Sequence, residues 1–404
     1  MKALKKPIIL LLITTVMAFA LLFFYRTPMD VNILYIGGSV MLISAITYFA
    51  IVYFKLGDEY LFLIVSMLVV LGTLMLCRIN YTYGIKQILW YLISVCAFYI
   101  SFFIYKYVKV LNKMGTFYFL LGVVLFIATL LFGTRSGGAK NWIRAGLLSV
   151  QPSEFIKLLY IFFLASYFSG KRDKLVFGKI KEKYAVLFCV YMYLGFLVLQ
   201  REWGIAVLFF IIYIAMEYIF EHDLMLILCN FLLAGLGGGV GYLTMYHIQV
   251  RVATWLNPWA DVSKTGYQIA QSLFAISSGG FFGSGLGLGK PEYIPAVHTD
   301  FIFSAICEEL GLFGGVAIIL LFFIFTYRGA KIALRLPEGF DKCIASGITV
   351  MFGMQTFIIL GGVIKLIPLT GITMPFISYG GSSLLSSFIA LGVLQALSDR
   401  EVEK

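Results

Sequence analysis

The stretch PAVHTDFIFSAICEELG, Pro295 to Gly311, runs directly on into LFGGVAIILLFFIFTY, which ends at Tyr327. The second piece is an apolar run of the length that crosses a bilayer core. The first piece sets His298, Thr299, Asp300, Glu308 and Glu309 at its mouth. A carboxylate in lipid is costly unless it is paired or hydrated, so such residues mark function or deliberate anchoring. One stretch therefore points both to a membrane-spanning fold and to where its chemistry lies.

Working outward, the rest of the 404 residues agree. The chain is 61% hydrophobic and 13% charged, far from the roughly 25% charged residues of a soluble domain. Apolar runs of spanning length recur from end to end, and they are continuous rather than alternating, which excludes a β-barrel. The six cysteines lie within or at the ends of these runs without paired spacing. They read as buried thiols, not as a disulfide framework or a zinc site. The net charge of +11 sits in the loops, where it reports topology and anionic partners rather than nucleic acid.

The expected fold is an all-α polytopic membrane protein of twelve spans: roughly 7–25, 32–54, 60–78, 86–105, 116–133, 153–169, 184–200, 204–220, 223–246, 300–327, 343–364 and 378–397. The first follows MKALKK, lacks a small-residue cleavage site, and reads as a retained anchor rather than a signal peptide. A large loop, 247–299, separates the ninth span from the tenth. Most of the 31 Lys and Arg fall on one side if the N-terminus is cytoplasmic, including the run KRDKLVFGKIKEK. By the positive-inside rule both termini are then cytoplasmic, and the large loop and the opening stretch face out.

Three polar clusters fall on that outer side. In the first, a helix starting near Asp300 would place Asp300, Ser304 and Glu308 on one broad face, with Glu308 about 12 Å deeper and Glu309 pointing elsewhere. Asp300 and Thr299 also suit a simple helix cap, while Glu308 and Glu309 call for structural partners. His298 is placed to orient Asp300. In the second cluster, GTRSGGAKNWIRAGLLSVQPSEFIK, Arg135, Lys140, Arg144 and Trp142 lie at the interface. They fit lipid headgroups in general and a specific pyrophosphate equally well. Pro152 opens a helix in which Glu154 and Lys157 are spaced for an internal salt bridge. The third cluster is the large loop, with Arg251, GYQIAQSLFAISSGG and FFGSGLGLGK up to Lys290. Its middle, from Tyr267 to Ile276, reads as a short interfacial helix. GSGLGLG is a weak phosphate-loop signal, because no strand precedes it and the lysine pattern is missing. LTGITMPFISYGGSS adds Pro375, Ser378, Tyr379 and broken backbone at the last span.

At these residues the sequence resembles the SEDS family (shape, elongation, division and sporulation), whose members include RodA, FtsW and SpoVE. GAKNW with QPSEFIK, GYQIAQSLFAISSGG with the glycine run, PAVHTDFIFSAICEELG and PFISYGGSS occur in family order over about 60–398. The resemblance implies a peptidoglycan glycosyltransferase that polymerises lipid II at the outer face of the bacterial cytoplasmic membrane, beside a class B penicillin-binding protein transpeptidase. It implies Asp300 as the essential acid, and the family's Glu and Lys in Glu154 and Lys157. Two departures stand out. Residues 1–57 add two spans before a core of 58–404, and QREWG, Gln200 to Gly204, stands where the family often reads Gln-Pro-Asp-Leu-Gly. Glu202 keeps the acid there, but Arg201 replaces the proline.

The chemistry implied is one inverting displacement, with Asp300 as general base toward the acceptor hydroxyl. Cations would stabilise the undecaprenyl pyrophosphate leaving group: Arg251 first, then Lys140 and Arg135. Trp142, His298, Thr299, Gln271 and Lys290 complete the expected substrate contacts; Glu154, Lys157, Glu202, Glu308, Ser378 and Tyr379 are supporting residues. A divalent cation (Mg or Mn) bridging the pyrophosphate to a carboxylate is compatible with this set, though no ligand spacing demands one. The rivals are a flippase for lipid-linked precursor, another lipid-linked glycan polymerase or ligase, and a non-catalytic scaffold. A flippase predicts polar groups through both leaflets and often inverted repeats; here the charges cluster on one side.

Overall fold

A computed structural model describes residues 6–25, 29–136, 138–145, 148–170 and 182–402. The basic run 171–181 and the terminal lysines Lys2, Lys5 and Lys404, on which the expected orientation rests in part, lie outside the described residues. The chain opens with helices α1 (Lys6–Tyr25), α2 (Asn32–Tyr53), α3 (Glu59–Ile79), α4 (Tyr81–Tyr107) and α5 (Gly115–Phe132). Strands β1 (Thr134–Ser136), β2 (Ala139–Ala145) and β3 (Leu148–Val150) follow as an antiparallel meander. Then come α6 (Pro152–Phe168), α7 (Glu182–Gln200), α8 (Trp203–Phe220), α9 (Leu224–Thr244) and α10 (Tyr246–Leu256). The last elements are α11 (Tyr267–Gly279), α12 (Ile302–Arg335), α13 (Phe340–Val363) and α14 (Gly381–Val402).

Eleven of these helices are long and apolar enough to cross a membrane. The remaining expected span is α6, a helix of 17 residues buried along most of its length. The meander departs from an all-helical reading. Its strands are short, and Gly138, at φ +87, lies in the turn between β1 and β2, so the period-two signal is too brief to read from sequence. Four of the six cysteines are buried, whereas Cys96 is exposed and Cys229 half-buried; an apolar thiol is tolerated on a lipid-facing flank.

The chain forms two compact units. The first holds residues 1–100, 250–325 and 356–404. In it α3 is buried along most of its length. Gly37 of α2 lets Phe19 of α1 approach so closely that a β-carbon there would sit 2.5 Å from the ring. The turn between α2 and α3 is clasped by α14: Gln395 donates to the Leu56 and Asp58 carbonyls, and the Asp58 amide donates to Ser398 Oγ. The second unit holds 101–249 and 326–355. Its centre is a stack of aromatic rings in which Tyr160 lies 4.5 Å from Phe209 and Tyr193 lies 5.4 Å from Phe119. α9 buries only Asn230 and Gly241. Bare apolar flanks of this kind cost nothing against lipid tails, whereas water would expel them.

The span expected over 300–327 is two helices, not one. It begins at Ile302, after Asp300, and breaks at Gly311, where φ is +69 and ψ −170. A break inside an apolar span frees backbone groups that must find partners. Here the glycine loop supplies them. Ser284 N and Gly285 N donate to the Glu308 and Glu309 carbonyls, and the Leu312 and Phe313 amides donate to the carbonyls of Gly280 and Phe281. The loop amides also take up the two glutamate side chains: Gly287 N donates to Glu309 Oε2 and Lys290 N to Glu308 Oε1. Arg78, at the end of α3, completes the join with an ion pair to Glu309 at 2.9 Å and hydrogen bonds to the Gly287 and Gly289 carbonyls. GSGLGLG thus cradles carboxylates and carbonyls of its own chain. Replacing one partner of a buried pair strands the other charge, so Arg78→Ala is expected to cost about 3 kcal/mol; a lowered melting temperature in detergent, with faster proteolysis in the glycine loop, checks it.

Candidate active site

In the first unit, Asp300 lies in the turn just before α12 and is half-buried. Two distant pieces of chain hold that turn. Ser378 Oγ donates to the Thr299 carbonyl at 2.6 Å, and Tyr379 N donates to the His298 carbonyl at 2.8 Å. Ser378 Oγ in turn accepts from Met374 N. This is the work of PFISYGGSS: its turn clamps the backbone that presents Asp300. Strained backbone surrounds the clamp, with Phe376 at φ +65 and Ala296 at φ +54; such conformations persist where surrounding packing imposes them. Phe376 is wedged between Phe325 and Phe388. α11 supports the start of α12 from below, since Ser272 and Ser304 share a hydrogen bond of 2.7 Å.

Arg251, on α10, is the cation of this pocket. Its Nη1 donates to the carbonyls of Leu369 and Thr370 at 3.2 and 3.0 Å, which anchors one arm of the guanidinium. Burial pushes the Asp300 carboxyl up to about 6, while the Thr299 hydroxyl and the Arg251 charge pull it back down. Such a carboxyl is ionised at neutral pH yet a stronger base than an exposed aspartate. His298 stacks on Tyr83, with ring centroids 4.5 Å apart, and lies beside Tyr379. Burial holds its imidazole below the usual range. Its ring packs as a wall; the backbone of His298, through the Tyr379 bond, is what orients Asp300. Gln271 is half-buried on α11, and Lys290 is exposed with its ammonium over the Tyr293 ring. Glu308 is hydrogen-bonded to backbone rather than ion-paired.

The second unit carries the other candidates. β1 and β2 set Arg135 opposite Lys140 and Thr134 opposite Trp142. Strand alternation puts Lys140, Trp142 and Arg144 on one face of β2 and Asn141 on the other. The Lys140 ammonium donates to the Leu130 carbonyl, and Arg135 is exposed. Asn141 turns inward to Glu202: its Nδ2 and Gln151 Nε2 both donate to Glu202 Oε1, at 2.6 and 2.7 Å. Burial raises the Glu202 carboxyl against these donors. Arg201 has φ +63, a value closed to proline, so this turn has its own backbone and still fixes the acid. Glu154 and Lys157 form the expected ion pair at 2.7 Å, nearly fully buried, with Lys157 also donating to Gln355. No cluster of three or more His, Cys, Asp or Glu placed to hold a metal occurs among the described residues.

Sequence reasoning missed Arg78 and Gly371. An arginine closing an apolar span looks like an interface anchor, and a lone glycine in a loop gives no signal until its neighbours are known.

Membrane-length helices that carry a clamped, half-buried aspartate beside an anchored arginine define a class: polytopic membrane proteins whose chemistry sits in the loops between spans. A family model described as "Cell cycle protein", covering FtsW, RodA and SpoVE, matches residues 45–403. The chain belongs to this family. It is 36% identical over 326 residues to the peptidoglycan glycosyltransferase RodA of Mycobacterium tuberculosis, covering 78% of this chain and 70% of that one. It is 37% identical over 297 residues to stage V sporulation protein E of Bacillus subtilis, covering 70% and 76%. Among solved structures, a chain from work described as "Structural coordination of polymerization and crosslinking by a peptidoglycan synthase complex" matches with a TM-score of 0.72 at 24% identity, covering 86% of this chain and 99% of that one. The rod shape determining protein RodA of Thermus thermophilus matches with a TM-score of 0.60 at 24% identity, covering 85% and 96%. The fold is therefore shared with these proteins.

A base with its titration near 6 loses activity as pH falls through that value. Removing the cation that pulls it down should move the acid limb to higher pH. A pH–rate profile of Arg251→Gln beside wild type checks this; an unmoved limb would separate the two residues.

Proposed function

We propose that the protein is a peptidoglycan glycosyltransferase that polymerises lipid II into glycan strands at the outer face of the bacterial cytoplasmic membrane. The observation that carries the reading is the Asp300–Arg251 pocket, in a chain whose relatives include named peptidoglycan glycosyltransferases. Lipid II joins its sugar to the lipid through an α-linked pyrophosphate and the product is β-linked, so a single inverting displacement suffices. Asp300 takes the proton of the acceptor hydroxyl as that oxygen attacks the anomeric carbon. The bond from this carbon to the pyrophosphate oxygen breaks, and its electron pair leaves with undecaprenyl pyrophosphate. A fixed cation is worth most where water is thin. Arg251, beside Asp300 in the first unit, meets that condition at the reacting centre.

The Glu154–Lys157 pair and the Glu202 cluster hold the second unit in shape around their helices. The substrates are lipid II and the undecaprenyl-linked nascent glycan, and the protein partner is a class B penicillin-binding protein. Both termini are cytoplasmic, by the lysine and arginine asymmetry. Residues 1–57 form two added spans before the core of 58–404.

The test is purified protein with lipid II, alone and with a candidate transpeptidase, wild type beside Asp300→Asn. A glycan ladder from wild type and none from the variant, at equal melting temperature, is expected. A ladder of equal yield from Asp300→Asn sinks the role of Asp300. No ladder from any sample, with lipid II crossing the bilayer of proteoliposomes, would turn the reading to a flippase.

A further inference from the structure

Gly371 is an exposed residue between the two groups of the pocket. A β-carbon built on it would lie 3.6 Å from Asp300 Oδ2 and 3.7 Å from Arg251 Nη2, with no other atom of a described residue beyond its chain neighbours inside 4 Å. Those are ordinary contact distances, so the fold has room for a methyl group there. The contrast with Gly311 and Gly283 is sharp, because at both a β-carbon would strike backbone, at 2.3 and 2.2 Å. Close packing explains those two glycines and does not explain Gly371. Its φ of +72 favours glycine, but Arg201 and Lys365 in this same chain adopt φ +63 with full side chains.

The guanidinium is aimed at the same point. The carbonyls of Leu369 and Thr370 hold Nη1, and these residues directly precede Gly371. Nη2 makes no hydrogen bond to a described residue and lies over the glycine. A point flanked by a carboxylate and a guanidinium suits an oxygen that donates a proton one way and accepts one the other. A sugar hydroxyl does both. A phosphate oxygen, which only accepts, would be driven off by Asp300.

We propose that the space over Gly371 is the seat of the acceptor sugar's reacting hydroxyl, kept open by the lack of a side chain, so that Gly371 is a positioning residue and Arg251 serves the acceptor rather than the pyrophosphate. This rests on the glycosyltransferase reading above. The hydroxyl donates to Asp300 Oδ2 and accepts from Arg251 Nη2, which fixes it for attack. A methyl at 371 would displace it by about its own radius, and a misplacement near 1 Å costs roughly a hundredfold in rate.

Gly170 supplies the control, since its φ is +68 and a β-carbon there would meet no described residue within 4 Å. Gly371→Ala and Gly170→Ala carry the same backbone strain and should lower the melting temperature alike. With lipid II, Gly170→Ala should polymerise as wild type does, and Gly371→Ala should fall about a hundredfold. Equal rates for the two variants overturn the seat and leave the glycosyltransferase reading intact; no polymer from wild type overturns both. If Gly371→Ala does not fold, wild type decides the matter. At saturating donor, an acceptor analogue with hydrogen in place of the reacting hydroxyl should compete, and one bearing a methyl ether there should not. Equal competition by both overturns the seat.

Discussion

The break in α12 at Gly311 is the constraint on which the rest of the first unit depends. A helix interrupted within an apolar span leaves carbonyls on one side and amides on the other without partners, and lipid offers none. The glycine loop answers both ends: its amides cap the carbonyls of Glu308 and Glu309, and its carbonyls receive the amides of Leu312 and Phe313. Only a backbone able to enter the left-handed region several times can follow that path, as Gly280, Gly283, Gly285 and Gly287 do. Arg78 and Glu309 lock the loop in place. What the break achieves is a short, rigid helical piece whose first turn lies next to Asp300.

Asp300 itself is placed through backbone more than through side chains. The carbonyls of His298 and Thr299 are held by Tyr379 and Ser378, and Arg251 is held by the carbonyls of Leu369 and Thr370. Carboxylate and guanidinium are thus both referred to the one segment between α13 and α14. A general base must be positioned before its titration matters. Here the same turn that positions the carboxyl also raises it, because burial disfavours its charged form. In the second unit, the meander applies the same economy to Glu202, with one face of β2 reaching inward through Asn141 and the other carrying Lys140 and Trp142.

What the sequence by itself determined is the class and most of the candidate residues. Membrane-length apolar runs need no tertiary context, because the hydrophobic thickness of a bilayer sets their length. An ionisable group beside such a run announces itself by its cost, which is why Asp300, Arg251, Glu154 with Lys157, and the paired glutamates were legible. The family motifs then named the activity to expect. Tertiary structure decided the rest. That α12 begins after Asp300 and breaks at Gly311 depends on a glycine loop well earlier in the chain, from Gly280 to Gly285, meeting the freed backbone groups of Glu308 to Phe313. That Glu308 and Glu309 fasten the glycine loop, that His298 packs on Tyr83, and that Arg251 shares a point in space with Asp300 over Gly371 all depend on segments remote in sequence. Local pattern encodes period and burial; it does not encode which carbonyl a distant amide will reach, and in this protein those long-range backbone bonds are what build the site.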